Sequence, residues 1–393
     1  MLAFLQFTIV LDFMVLSPLG AFLMPALNIE PRQFGLVVSA YAIAAAISGV
    51  LAAGFADRYD RKKFLLFFYV GFLVGTVFCG LAPTYGALLA ARIVTGLFGG
   101  VVGAASYAIV ADVFPLAMRG RVMGLIMTAF GASQVLGIPI GIFLATHFGW
   151  HAPFMMIAGV GLLVGVAIAL RMPPVDAHLH QTQGQHPVRH LWNTATSPRY
   201  QVGFLATMLL ATGGFMLMPF ASAFTVNNQH ITVDQLPLLY MITGVCSIVF
   251  GPLLGRLSDR FGKYAMFCTA SSIVIAVALY YTQMEGAVLW QMILVSVVMF
   301  ACVTGRMASA GALTSAVPAP QDRGAYMSIS ASLQQMAGGI ASYLAGLLVH
   351  QGATGRIEHY PRIGVAVSVA TVLTMMLMYR VHRLVTDAAP VAT

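Results

Sequence analysis

Charge is what these 393 residues have least of. Asp, Glu, Lys and Arg together make up 8% of the chain, where a soluble domain of this size carries about 25%. So few charges cannot cover a water-facing surface. They can be reconciled with a surface that faces lipid, because a transmembrane helix asks for roughly 20 mostly apolar residues, and here 59% of residues are hydrophobic with a mean hydropathy of +0.87. Cysteine is rare as well, at four residues. Cys79, Cys246, Cys268 and Cys302 each stand inside an apolar stretch, without CxxC or metal-ligand spacing, and read as small buried hydrophobes rather than disulfides or ligands. Missing too are a Gly-x-x-x-x-Gly-Lys-Ser/Thr phosphate loop, a nucleophile elbow, an HExxH helix and a haem CxxCH. No ATPase, no other enzyme, no cofactor and no resident metal is expected. Nor is there a basic stretch ahead of the first apolar segment, which is too long for a cleavable signal and contains Asp12; it reads as a first spanning helix.

What the chain does have is apolar runs of spanning length. Hydropathy predicts twelve, at 2–26, 35–55, 64–82, 87–112, 122–146, 152–170, 201–225, 236–255, 264–283, 287–313, 325–349 and 361–380. The 39 glycines suit close helix packing in lipid. The net charge of +8 is explained by where the basic residues fall. With the N-terminus in the cytoplasm, 15 of the 20 Lys and Arg lie on cytoplasmic loops, from Arg58, Arg61, Lys62 and Lys63 through to Arg383. The outer side keeps Arg32, Arg356 and Arg362, and Arg92 and Arg306 fall within spans. This satisfies the positive-inside rule with both termini cytoplasmic, and no nucleic-acid partner is needed to account for the charge.

The chain also repeats itself. Phe13-Met14 and Phe215-Met216, Phe22 and Phe224, and Asp57-Arg58 and Asp259-Arg260 are each 202 residues apart, and Arg119-Gly120 and Arg323-Gly324 are 204 apart. Two six-helix halves of the same direction follow: 1–170 and 200–393, joined by a polar cytoplasmic linker at 171–199. Such parallel halves characterise major facilitator transporters, with substrate bound near the midplane between them.

Local motifs carry the same resemblance. Gly54-Phe55-Ala56-Asp57-Arg58-Tyr59-Asp60-Arg61-Lys62-Lys63 resembles the loop motif Gly-x-x-x-Asp-Arg-x-Gly-Arg-Lys/Arg of that superfamily, with Asp60 where the family usually has Gly. The second copy, Gly255 to Lys263, keeps the Gly as Gly262. The resemblance implies an inner-face latch formed by Gly54, Asp57, Arg58, Arg61, Asp112, Asp259 and Arg260, whose charges could instead serve only orientation. Arg92-Ile93-Val94-Thr95-Gly96 is similar to the family's Arg-x-x-x-Gly, whose Arg is often linked to proton transfer. Gly131, Gly137, Pro139 and Gly141 are similar to the antiporter signature Gly-x-x-x-Gly-Pro-x-x-Gly-Gly, loosened because Ile138 separates Gly137 from Pro139. Simple helix packing through small residues explains them equally. The chain thus resembles most closely the twelve-helix drug/proton antiporter branch, which includes sugar and arabinose exporters. The fold expected is all-α, twelve transmembrane helices in two pseudo-symmetric bundles.

Ionisable residues inside the membrane mark function, since each costs at least about 2.5–3.5 kcal/mol at the bilayer centre. Asp12, Arg92 and Arg306 lie on spans one, four and ten, which line the central cavity in this superfamily. None is duplicated: the repeat puts Gly214 opposite Asp12 and roughly Gly103 opposite Arg306. Counting along the spans sets Asp12 and Arg306 at similar depth and Arg92 nearer the outer end. Asp12 is the candidate proton carrier, with Arg92 and Arg306 as partners, because a carboxyl holds its proton more tightly in low dielectric and less tightly beside a guanidinium. A static ion pair is the plainer alternative, and Arg306 is also a candidate anion site. Phe13, Met14, Phe215, Met216, Met218 and Phe220 are candidates for an adaptable apolar cavity wall, with Gln134, Gln334 and Gln335 as polar contacts. His178, His180, His186 and His190 in the linker are spaced irregularly and read as solvated. The function expected is proton-coupled export of small amphipathic compounds or metabolites from a bacterial inner membrane, by a monomer whose partners are substrate, protons and the bilayer. A sugar or metabolite exporter, an organic-anion importer and a non-transporting receptor are the competing readings.

Overall fold

Long apolar segments that satisfy their own backbone hydrogen bonds can only be helices in lipid, and helices dominate the computed structural model of the chain, which describes residues 1–53, 59–176, 187–229, 231–319, 322–352 and 355–387. The first span comes as two pieces, α1 (Leu2–Val15) and α2 (Gly20–Leu27). Then come α3 (Pro31–Ala53), α4 (Arg61–Leu81) and α5 (Tyr85–Val113). The fifth span is α6 (Leu116–Ala132), a π-helical turn (Ser133–Gly137) and α7 (Ile138–Phe148), and the sixth is α8 (Ala152–Arg171). A short helix, α9 (Pro187–Thr196), precedes α10 (Pro198–Gln229), α11 (Leu236–Phe261) and α12 (Lys263–Gln283). The chain ends with α13 (Leu289–Thr314), α14 (Arg323–Leu348), a two-residue hairpin of β1 (His350–Gln351) and β2 (Ile357–Glu358), and α15 (Tyr360–Thr386).

All twelve predicted spans are present. Ten helical segments are long and apolar enough to cross a membrane, and the α1–α2 pair adds an eleventh. The twelfth, α14, is 26 residues long but carries Ser328, Ser330, Ser332, Gln334 and Gln335. The expected unbroken first span is corrected: α1 and α2 meet at a 58° bend. Pro18 sits in the break, where a proline cannot donate to the helix ladder.

The side chains are distributed as lipid demands. Many large apolar residues point outward, with Leu170 80% and Leu163 73% exposed, while buried glycine, alanine, serine and threonine join the apolar core side chains at the helix contacts. Gly96 and Gly100 of α5 press against the backbone at Tyr41 and Ala45 of α3, so that any Cβ there would collide. This is close packing through small residues. Helices before the linker pack on one another through α3–α5, α4–α5 and α4–α8, and those after it through α10–α14, α12–α13 and α12–α15. The main crossings between the two groups are α3 on α14, α7 on α11 and α2 on α10.

One membrane face, here the basic face, holds the start of α1, the end of α15 and most of the described Lys and Arg. At the opposite, far face the crossings are tight. A Cβ on Gly35 would come within 2.8 Å of the Ser342 carbonyl oxygen, and one on Gly346 within 2.8 Å of that of Pro31. Ser222 Oγ of α10 donates to the Ser17 carbonyl in the α1–α2 break at 3.3 Å, and Phe34 meets Phe220 edge-on with ring centroids 6.0 Å apart. The far face is closed.

Candidate functional site

Four helices of the first group converge on Asp12. α1 brings it in near its own C-terminal end, three residues short of Val15. From α5, Arg92 Nη1 donates to Asp12 Oδ2 at 2.7 Å, and both side chains are 0% exposed. From α4, Thr76 Oγ1 donates to Asp12 Oδ1 at 3.2 Å. From α3, the Tyr41 ring lies under the guanidinium, 4.4 Å from ring centroid to Cζ, within cation–π range. Both carboxylate oxygens are therefore occupied, and the cation has an aromatic face as well as an anion. Arg92 Nε and Nη2 make no hydrogen bond among the described residues. Counting along the spans separated Asp12 from Arg92; the structure brings them into contact, because helix tilt and the α1–α2 bend are invisible to a residue count.

The pair lies inside the first group, one ring away from the crossing to the second. Phe13, next to Asp12, stands 5.5 Å from Tyr41 and 5.6 Å from Phe215 of α10, ring centroid to centroid. Arg92, Tyr41, Phe13 and Phe215 thus form a continuous line from the buried charge to the opposite helix group. Sequence reasoning missed Tyr41 and Thr76. The one signal was Tyr41 as a bulky, polar-tipped residue just ahead of Ala42 and the alanine run 44–46.

The other candidates for a cavity wall divide. Phe13, Phe215, Met218, Gln134, Gln334 and Gln335 are half-buried. Met14, Met216 and Phe220 are buried: Met14 packs with Ile138, Ile142 and Leu236, and Met216 and Phe220 belong to the apolar cluster that seals the far face with Leu19, Leu23 and Phe34. Gly137 and Gly141 face Leu11 and Val15 of α1, whereas Gly131 looks toward Ile248 of α11. Pro139 is buried with them. Ile138, which loosens the antiporter-like pattern, follows directly on the π-helical turn, a feature frequent at functional sites. Ser133 in that turn donates to the Phe7 carbonyl at 3.2 Å.

Arg306 is not brought together with Asp12 and does not face a cleft between the groups. Its Nη1 reaches Thr371 Oγ1 of α15 at 3.3 Å, and its Cζ lies 5.9 Å from the Phe267 ring centroid of α12. The exposed side of α13 is carried instead by Met307, Ala308 and Gly311.

At the basic face, Arg61 Nε donates to Asp112 Oδ2 at 2.9 Å, joining the start of α4 to the end of α5. Gly54, Asp57 and Arg58 lie outside the described residues. Asp60 caps α4, accepting from Lys63 N at 2.8 Å and Val175 N at 3.0 Å. An aspartate suits that place, because N-caps use a side-chain oxygen to satisfy orphan amides. In the second copy Gly262 has φ +94°, which favours glycine. Asp259 and Arg260 are exposed and form no ion pair among the described residues. In the linker His178, His180 and His186 lie outside the described residues, and His190 Nε2 stands 3.7 Å from Asp322 Oδ1.

The Major Facilitator Superfamily profile matches residues 2–207 and again 203–391. The chain belongs to the major facilitator superfamily. Among relatives, the uncharacterized MFS-type transporter YceJ of Bacillus subtilis (strain 168) is 30% identical over 279 residues, 70% of each chain. The probable sugar efflux transporter of Helicobacter pylori (strain G27) is 22% identical over 243 residues, 61% of each. The crystal structure of a bacterial homolog to the human lysosomal transporter Spinster, inward-facing and unoccupied, superposes with a TM-score of 0.78 at 17% identity, covering 99% of this chain and 97% of that one. This major facilitator chain is a multi-pass membrane transporter and not an enzyme, and the resemblance of its loop motifs to the superfamily belongs to the whole fold.

Proposed function

We propose that this chain is a proton-coupled secondary transporter of the bacterial inner membrane that exports small amphipathic compounds or metabolites by alternating access. The basic face is cytoplasmic, in keeping with the positive-inside rule, and both termini lie there. The halves 1–170 and 200–393 rock about a central site, and the state sealed at the far face opens toward the cytoplasm.

The observation that carries the reading is the fully buried Asp12–Arg92 pair beside the Phe13–Phe215 crossing. A buried ion pair whose partner is removed leaves a bare charge at a cost of about 3–5 kcal/mol. Protonating Asp12 removes one partner chemically and reversibly. Arg92 must then find other contacts, and the ring stacked on it, Tyr41, shifts against Phe13. Proton arrival and the crossing between halves are in this way linked through adjacent side chains. Sugars belong in the substrate panel, since the Helicobacter relative is described as a probable sugar efflux transporter. The organic-anion reading loses its anchor with Arg306 turned into the second helix group.

The test uses the purified protein in proteoliposomes with an internal pH dye. Drugs, sugars and organic acids are added in turn without an imposed gradient. Substrate-triggered proton movement is expected in the wild type and absent in Asp12→Asn. Solute flux without proton movement in the wild type refutes coupling and leaves Asp12 as a structural partner of Arg92.

A further inference from the structure

The two helix groups treat their buried arginines differently. Arg92 has Asp12 as its counter-ion. Arg306 is 3% exposed and forms no ion pair among the described residues. Its Nε and Nη2 make no hydrogen bond there, and its one hydrogen bond runs to the neutral Thr371 hydroxyl. A buried charge without compensation is strongly disfavoured, and the Phe267 face at 5.9 Å offers only a weak quadrupole attraction at that range.

Beside the Phe267 ring, this cation has hydroxyls nearby. Ser271, one helical turn from Phe267 on α12, is 0% exposed, and its Oγ lacks a partner among the described residues. Tyr264 OH of α12 reaches the Met375 carbonyl of α15, and Gly364 of α15 presses on Thr282 of α12. The two helices therefore run antiparallel, in a register that brings the stretch of α12 around Ser271 to the level of Thr371. Arg306 thus keeps Nε and Nη2 unmet, Thr371 Oγ1 accepts from its Nη1 and retains its own O–H to donate, and the unmet Ser271 hydroxyl lies at the same level. No acid pairs with Arg306 among the described residues.

We infer that Arg306 and Thr371, with Ser271 at the same level of α12, form a site inside the second helix group for a small monovalent inorganic anion such as a halide. The charge to be balanced is single, which a monovalent anion meets. Arginine and hydroxyl donors suit a spherical acceptor with no geometric demand of its own. Burial of Arg306 excludes an organic substrate. Water could satisfy the N–H groups but would leave the charge uncompensated. The site is separate from Asp12 and stands whether or not the transporter moves protons.

The test measures thermal unfolding of the purified full chain in sodium chloride, bromide or gluconate at equal ionic strength. In the wild type, melting temperature is expected to rise saturably by about 3 °C or more with chloride or bromide over gluconate. Thr371→Val and Ser271→Ala should weaken the halide dependence, and Arg306→Met should abolish it while matching the halide-loaded wild type in gluconate. Line broadening of the chloride NMR signal by wild type, absent with Arg306→Met, reads binding directly. A wild type indifferent to halide by both measurements, or halide binding that survives Arg306→Met, overturns the inference. Should Arg306→Met fail to fold, undiminished halide dependence in both hydroxyl variants does the same.

Discussion

Asp12 gives one oxygen to an arginine and the other to a threonine, so a change at this residue is felt twice. Asp12→Asn keeps the shape and deletes the charge, leaving Arg92 buried alone. A stability loss of about 3–5 kcal/mol is expected by thermal or denaturant unfolding in detergent. The double variant Asp12→Asn with Arg92→Met removes both charges and should recover most of that loss while staying uncoupled. Recovery of proton movement in the double variant would mean the carboxyl carries no proton. The three intramembrane charges were legible in the sequence because so few charges occur at all. Their pairing was not. Asp12 and Arg92 are 80 residues apart, and the side chains that complete the site, Tyr41 and Thr76, are of types common in membrane helices. Arg306 illustrates the same limit, since span ten could be assigned to a cavity by resemblance while the direction of one side chain depends on helix rotation.

At the level of helices, the far-face closure depends on glycine. Gly35 and Gly346 let α3 and α14 meet backbone to backbone. Gly35→Ala puts a methyl group against the Ser342 carbonyl and is expected to cost about 1–3 kcal/mol, and to raise the labelling rate of a cysteine placed at the far ends of these helices. Gly103→Ala, where a Cβ would meet nothing within 4 Å, is the control and should leave both readouts unchanged. Glycine content suggested close packing from the outset, but the sequence could not say which glycines touch which helix. The two loop motifs show why resemblance alone is incomplete at this scale. Gly262 needs its positive φ, whereas Asp60 occupies the equivalent place with φ −53° and serves as a helix cap. The equivalent position before the next helix is thus filled by two different physical means.

For the whole molecule, twelve spans and an internal repeat were readable because hydropathy and repeat spacing are additive over many residues and tolerate local error. The bend at Pro18 was not, since one proline is compatible with either a kinked or a broken helix. Its consequence is a backbone carbonyl at Ser17 that accepts from Gly20 N and also, across the two groups, from Ser222 Oγ. Paired cysteines at Ser17 and Ser222, in a chain freed of its four native cysteines, should cross-link under a short thiol reagent and stop transport. A reducible reagent should restore it. Persisting transport after complete cross-linking would show that the far face need not open at this point. The polar character of α14 has a further consequence, for biosynthesis. As each hydrophobic segment leaves the ribosome, the translocon tests its preference for lipid, and α14 presents serines and glutamines at that moment. Its partner α3 was made long before and already waits in the bilayer, so the helix that closes the far face is expected to settle in the membrane on the strength of glycines it shares with that neighbour, Gly339 and Gly346 of its own and Gly35 of α3, rather than on its own oiliness.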